Sequence, residues 1–460
     1  MAWFALGMMA VPMAVAQQRG RTPKAPELDP QIVAAVQEVS PVRVKASIEK
    51  LAGFHNRSTL SPADAASTAK GRGIGAAREW IRSEFERYSR DCDGCLKVEM
   101  QSFSVSPPAR RIPHRTEIVN VIATLQGADP ANAGRIYVVS GHYDSRNSDN
   151  DNVTDPAPGA NDDASGTAVS LECARVLSKH KFPATIVFIA FAGEEQGLYG
   201  SAHYAEAAKS AKLDIEAALN NDIVGGNRTP GDRMQQPQWV RIFSEGIPAA
   251  ATPDEIKLIR TTGMENDSPS RQLARYVRQV AEQYVSGFEP KLVSRPDRYL
   301  RGGDHLSFND QGFAAVRFTE YREDYNHQHQ TPRIESGVEY GDLAKFVDFA
   351  YVANVARLNA ATLASLASAP APPANVRLVT RILENDSTLS WSASPGGLAT
   401  KYELLWRPTT DTDWPPQNVE AVGNVTQATL KRSKDNVIFA VRAVDTKGHR
   451  SLAVVPLPER

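Results

Sequence analysis

Cysteine is nearly absent from this chain, with three residues in 460. That excludes a disulfide-built scaffold and any zinc ribbon, which would need a second cysteine pair. Net charge is nearly absent too, at −1, so neither nucleic acid nor an anionic membrane surface is indicated as a partner. Beyond the opening stretch no segment is apolar enough to cross a bilayer. Histidine is scarce, with 9 in all, so any place where histidines gather with carboxylates is informative. Hydrophobic content of 42% and charged content of 23% are those of an ordinary globular protein. The length suits two or three domains.

The opening stretch, MAWFALGMMAVPMAVAQQ, is apolar and ends in Ala14-Val15-Ala16. Its length and small-residue ending predict a signal peptide, residues 1–16, cleaved after Ala16, although the usual basic leader is missing. The protein is therefore expected to be exported, to a periplasm or outside the cell, with no membrane span in the mature chain. Residues 17–30, polar and proline-rich, predict a flexible tail. Cys92 and Cys95, in the turn-like DCDGC, predict a local disulfide in an oxidising compartment. Cys173, inside a helical pattern, predicts a buried and inert thiol.

Residues 31–90 read as mainly helical; REWIRSEFERY puts Trp80, Ile81, Phe85 and Tyr88 on one face. From about residue 97 strands take over (KVEMQSFSV, EIVNVIATLQG, RIYVVSGHYDS), then alternate with helices expected at 165–180 and 198–209. The run IVFIAFA, 186–192, is apolar at every position, as in a strand buried on both faces. This texture predicts an α/β domain over 31–366 with a mixed, largely parallel central sheet flanked by helices. Residues 225–270 predict an insertion plus a strand. A helix is expected at 270–285, and a long amphipathic helix from about 340 to 366 should close the domain. Residues 367–373 predict a Pro/Ala linker, and 374–460 a small all-β sandwich of short alternating strands. Trp391 in LSWSASPG, then YELLWR and FAVRAVDTKGHRS, resembles a fibronectin type III module, with Phe439 where that family often carries a corner tyrosine.

Ligand-type side chains in an open α/β sheet belong where strands leave the sheet at their carboxyl ends. Four such exits carry them: His142 and Asp144 in GHYDS, Asn161-Asp162-Asp163 in GANDDASG, Glu194 and Glu195 in FAGEEQG, and Asp222 in NNDIVGG. His327 and His329 follow in DYNHQHQTP. Each piece alone has a bland explanation; Asp162 and Asp163 could simply cap a helix. Together they form a ring of carboxylates that would repel itself unless cations sat within it. Two imidazoles with three or four carboxylates suit zinc or a similar divalent ion, whereas calcium would take oxygens alone. The donors are too many for one catalytic zinc and enough for two ions sharing a carboxylate, with one glutamate left over.

The ordered set His-x-Asp, Asn-Asp-Asp-x-Ser-Gly, Gly-Glu-Glu, Asn-Asp and a late His resembles the M28 family of zinc peptidases over roughly residues 40–365. GGDHLSFNDQGFAAV resembles that family's Asp-His-x-x-Phe segment. The resemblance implies an exopeptidase with two zinc ions, or cobalt or manganese in their place. It makes Asp162 the bridge, His142 and Asp222 the ligands completing one site, and Glu195 with a late histidine those of the other. It also implies Glu194 as general base, Asp144 as the partner orienting His142, and a cis peptide after Asp162. The family's last ligand usually has an aspartate four residues on, which is lacking here; matching HQTP favours His329 over His327.

The expected substrate is a peptide or protein, and an aminopeptidase is the leading reading. Three alternatives stay open: a carboxypeptidase or dipeptidase using Arg301, Arg317, Arg322 or Arg333, a one-zinc glutaminyl cyclase, and a non-catalytic binding protein. The C-terminal module could dock on the catalytic domain, on substrate or on a cell surface.

Overall fold

The computed structural model describes residues 28–459; the expected signal peptide and most of the expected tail lie outside them. Asp29 caps the first helix by accepting from Gln31 N (2.7 Å), so α1 (Pro30–Glu38) starts within the stretch expected to be tail. Then come α2 (Pro41–Ala52), α3 (Ala65–Ala69) and α4 (Gly73–Asp91). Helix α4 buries Ile81, Phe85 and Tyr88, the stripe expected of it. Cys92 and Cys95 close a disulfide just after it, and Cys173 is a buried free thiol.

The alternating region follows as β1 (Leu96–Val105), β2 (Thr116–Leu125), β3 (Arg135–His142), α5 (Ala164–Leu177), β4 (Thr185–Phe191), α6 (Glu194–Gly197), α7 (Tyr199–Ser210) and β5 (Asp214–Asn221). The stretch expected as an insertion holds β6 (Trp239–Phe243) and a further helix, α8 (Pro253–Thr262). Next are α9 (Pro269–Tyr284), β7 (Glu289–Val293), α10 (His305–Asp310) and β8 (Ala315–Glu320). A small hairpin, β9 (Arg333–Glu335) with β10 (Val338–Tyr340), precedes α11 (Phe349–Ser368).

Eight of these strands form one sheet in the order β1-β2-β4-β3-β5-β8-β6-β7. Strands β4, β3, β5 and β8 run parallel at its centre, and the antiparallel pairings lie toward the edges. This is the mixed α/β sheet expected, with four parallel strands as its middle. Strand β4 shows why its sequence is uniformly apolar. Ile186, Phe188 and Ala190 join the core on one side, while Val187, Ile189 and Phe191 join the core on the other.

Helix α11 corrects the expectation of a long amphipathic helix from 340. The hairpin and its turns occupy the chain before Phe349, and Val352, Ala353, Val355, Ala356 and Leu358 are all buried in succession. It packs on α5, α9 and α1 inside the domain, and a helix covered all round needs no polar face. The stretch expected as a free linker is tethered as well: Ala369, Pro370 and Ala371 are buried, and Arg135 Nη1 donates to Ala369 O (2.9 Å).

The remaining strands are β11 (Ala374–Val379), β12 (Ser387–Ser392), β13 (Lys401–Pro408), β14 (Val419–Gly423), β15 (Gln427–Leu430), β16 (Val437–Val444) and β17 (Leu457–Glu459). They make a four-stranded and a three-stranded sheet enclosing Leu389, Trp391, Tyr402, Leu404 and Phe439. No described helix is long and apolar enough to cross a membrane.

Candidate metal centre

The carboxyl ends of the central parallel strands converge on one place. His142 is the last residue of β3, Asp222 follows β5, and Glu194 and Glu195 open α6 just beyond β4. Gly193 makes that last turn possible, because its φ of 79° lies in the left-handed region that costs a side chain dearly. The loop after β3 returns to the same place at Asp162 and Asp163, joined by a cis peptide.

Neighbouring acids have different tasks here. Asp163 is the helix cap: its Oδ1 accepts from Gly166 N (2.9 Å) and Ile223 N (3.3 Å), and its Oδ2 from His142 N (3.0 Å). One side chain thus ties β3, α5 and the end of β5 together. The first turn of α5 approaches so closely that a Cβ on Gly166 would lie 2.0 Å from Asn221 O, which only glycine allows. Asp162 faces the other way. Its Oδ1 lies 3.2 Å from His142 Nε2, and its Oδ2 2.8 Å from His329 Nε2.

Donor atoms gather in two sets, His142, Glu194 and Asp222, and Asp162, Glu195 and His329, those within each lying within 4.8 Å of one another, so that Glu194 stands beside the expected ligands His142 and Asp222. Asp222 Oδ1 is 3.8 Å from His142 Nε2, and Glu195 Oε1 is 3.0 Å from His329 Nε2. His142 Nε2 and Glu195 Oε1 are buried without a hydrogen-bond partner, an arrangement expensive enough to call for another partner. Burial works against charge on His329, but Glu195 and Asp162 more than offset it and push the ring up to about 10. The same negative field favours a divalent cation. Nitrogen and carboxylate donors in two sets, joined where Asp162 approaches His142, therefore fit zinc-like ions.

His327 stands apart. It stacks on Phe346 with ring centroids 3.7 Å apart, and its Nδ1 is 3.7 Å from Asp324 Oδ2.

Outside the two sets, Asp144 is fully buried with Oδ1 3.4 Å from His142 Nδ1. Its Oδ2 accepts from Thr59 Oγ1 (2.9 Å) and Glu195 N (3.2 Å), so it spans both halves of the site. Asp342, absent from the sequence reading, accepts from Asn161 N (2.8 Å) and Asp162 N (2.7 Å). Arg57 was missed too; its buried guanidinium donates to the carbonyls of Tyr143, Pro158 and Gly159 and clamps the loop ending at Asp162. Of the arginines considered for a substrate carboxylate, Arg317 is buried and pairs with Asp222 (2.8 Å) and Asp297 (3.0 Å). Arg301, Arg322 and Arg333 pair with Glu323, Asp232 and Glu335.

The family model described as Peptidase family M28 matches residues 120–334, the stretch from β2 through His329. A "Probable zinc metalloprotease" of Leptosphaeria maculans is 44% identical over 434 residues, covering 94% of this chain and 98% of that protein. The chain belongs to peptidase family M28. A second "Probable zinc metalloprotease", from Pyricularia oryzae, is 46% identical over 437 residues, 94% of this chain and 85% of its own length. These M28 relatives span the C-terminal sandwich as well as the large sheet. Among solved structures, the LapA aminopeptidase of Legionella pneumophila superposes with a TM-score of 0.50 at 20% identity, covering 77% of this chain and 79% of LapA. That likeness concerns the fold.

Proposed function

We propose that this M28 member is an exported two-zinc exopeptidase that releases N-terminal residues from peptides, with Glu194 as general base. The observation carrying this reading is the meeting of the two donor sets at Asp162. In this reading Asp162, His142 and Asp222 would hold one ion, and Asp162, Glu195 and His329 would hold the other. Bound there, zinc would polarise the scissile carbonyl and acidify a water between the ions. Cobalt or manganese would suit the same donors.

The chain's own residues supply the rest. Glu194 is only half-buried at the start of α6, so its carboxylate can take a proton from the attacking water and return it to the leaving amine. The backbone carbonyl of Asp144 meets His142 Nδ1 at 3.2 Å, with the Asp144 carboxylate at 3.4 Å, and so fixes which nitrogen faces Asp162. Asp342 and Arg57 hold the backbone that presents Asp162.

The aminopeptidase polarity draws support from acids around the cleft beside Asp162, among them Glu320, Asp324 and Asp342, which suit an amine better than a carboxylate. A carboxypeptidase or dipeptidase is the second reading. Arg111 Nη1 donates to Glu195 O (2.7 Å) and Arg146 Nη1 lies 4.0 Å from Glu195 Oε2, a cationic pair able to meet a terminal carboxylate. Aminoacyl, N-blocked and C-terminally amidated peptides, assayed with and without chelator, decide between them. Turnover of N-blocked peptides bearing a free C-terminus would overturn the aminopeptidase reading. One tightly held zinc at full occupancy would overturn the two-ion reading and favour a cyclase-like site.

Export is supported by the N-terminal leader pattern and by the Cys92–Cys95 disulfide. The sandwich of residues 374–460, read as a fibronectin type III-like module, docks in this proposal on the catalytic domain. Arg407 Nη2 meets both oxygens of Asp267 (2.7 and 2.8 Å), and Trp414 Nε1 donates to Gln272 Oε1 (2.9 Å).

A further inference from the structure

A small cleft, partly open to solvent, adjoins Asp162 and is lined by Glu320, Glu323, Asp324, Gln328 and Asp342. Ile223, the residue after candidate ligand Asp222, forms part of its wall, and His327 stacked on Phe346 closes another side. None of the residues lining it is a lysine or an arginine.

The acids here are not equally engaged. Glu323 is neutralised by Arg241 (2.7 Å), Arg298 (2.9 Å) and Arg301 (3.1 Å). Asp342 is committed to the backbone of Asn161 and Asp162. Glu320 differs from both: it is 1% exposed and has no cation within ion-pair distance among the described residues. Its Oε2 accepts from Gly226 N (2.6 Å), Asn227 N (3.0 Å) and Asn161 Nδ2 (3.1 Å), while its Oε1 has no partner. Gln328 donates through Nε2 to Asp162 Oδ2 (3.1 Å), and its buried Oε1 is likewise unpartnered. Leaving a buried acceptor without a donor is costly, so two of them in one acidic cleft call for a donor that enters from outside.

We propose that this cleft is a cation subsite that takes the ammonium or guanidinium end of a substrate residue next to the scissile bond. An alkylammonium brings both the N–H donors that Glu320 Oε1 and Gln328 Oε1 lack and the charge that Glu320 and Asp324 need. Burial pushes the Glu320 carboxyl up to about 8, and an entering cation restores its charge. The inference rests on the exopeptidase reading and narrows its substrate class to peptides with a cationic group at that position. The cation has two sources, a lysine or arginine side chain and the peptide's own α-amine.

Calorimetric titration of the zinc-loaded protein with four amides separates these sources. L-Lysinamide carries both cations, L-norleucinamide only the α-amine, Nα-acetyl-L-lysinamide only the side-chain cation, and Nα-acetyl-L-norleucinamide neither. A side-chain subsite binds both lysine amides tighter than their norleucine counterparts by about tenfold or more, the size of a charge-assisted hydrogen bond. A preference only for both free amides over both acetylated ones reports no more than the α-amine hold that any aminopeptidase requires, and overturns the side-chain subsite. Glu320→Gln and, as a second variant, Asp324→Asn reduce the lysine preference severalfold, with folding of each checked by circular dichroism. Equal binding of all four amides overturns the proposal, and so does a preference that survives both variants. The matching 4-nitroanilides keep this separate from the peptidase reading. Hydrolysis without cation preference sinks the subsite alone, whereas cation-dependent binding without any hydrolysis sinks the peptidase reading and leaves the subsite standing.

Discussion

Asp162 and His329 meet at 2.8 Å through one carboxylate oxygen, while the other oxygen of Asp162 reaches His142 at 3.2 Å. A single carboxyl group therefore links the two donor sets. It can be shared because its backbone is held from outside the site: Asp342 takes the amide hydrogens of Asn161 and Asp162, and Arg57 grips the preceding carbonyls. Positional accuracy is set by groups outside the donor sets.

Glu194→Gln separates binding from chemistry. The amide keeps the shape of Glu194 and leaves Asp162, Glu195, His329, His142 and Asp222 in place, so zinc content should match that of the wild type. Loss of the proton acceptor should lower kcat by about 10²–10⁴-fold, with KM little changed. Metal analysis and steady-state kinetics on one preparation check both halves. Near wild-type turnover would remove Glu194 from the mechanism.

The two late histidines are told apart by metal counting. His329→Ala should reduce zinc from two ions per chain to one, because Glu195 and Asp162 then lose their third donor. His327→Ala should keep both ions, since that ring packs on Phe346 and faces Asp324. Removing metal by chelation should lower the thermal midpoint of the wild type, because ions that bind only the folded chain stabilise it by mass action. Unchanged zinc in His329→Ala would transfer the ligand role elsewhere.

The central sheet and the strand exits were legible because their signals are local. A strand such as β4, apolar at every position, can only be buried on both faces, and ligand-type residues stood directly at the ends of β3, β4 and β5. The supporting groups were not legible. Thr59 reaches Asp144 across 85 positions, Asp342 reaches Asp162 across 180, and nothing in their own neighbourhoods marks them. Helix α11 was misjudged for a related reason. Its period was read as one apolar face, but contact with α1, α5 and α9 covers the remainder, and such surroundings are invisible to a periodicity argument. The hairpin β9–β10 lies between His329 and Asp342. It occupies the chain after the histidine, and Asp342 beyond it returns to the site.

Arg407→Ala should destabilise the protein strongly. Asp267 is buried at the end of the loop before α9, where Arg407 meets both its oxygens and Arg275 lies at 3.4 Å. Removing Arg407 leaves that carboxylate short of its main partner, a loss of about 3–5 kcal/mol for buried pairs. Urea titration followed by tryptophan fluorescence, with Trp414 in the same interface, should show the lowest-midpoint transition moving down. The double variant with Asp267→Asn should recover part of the loss, since no uncompensated charge then remains. A shift no larger than that of an exposed pair would mean that the sandwich is not docked through this contact.

His449 links the sandwich to the first helix and gives stability a pH dependence of fixed sign. Its Nε2 lies 2.9 Å from Asp29 Oδ2 and its Nδ1 2.8 Å from Asp445 Oδ2. Burial opposes charge on the ring, but Asp445 and then Asp29 outweigh it, so the folded value is raised above the ordinary 6.5. A raised histidine binds its proton more tightly in the folded chain than in the unfolded one. Its contribution is therefore complete below about 6.5 and fades as pH rises through the folded value. His449→Gln removes it at every pH. The stability gap between wild type and variant, from urea titrations between about pH 5.5 and about pH 9, a window that spans the ordinary histidine range, should be widest at the acid end and close toward the alkaline end. A gap that stays constant would show that His449 acts by packing, and one that widens with pH would contradict the charge assignment.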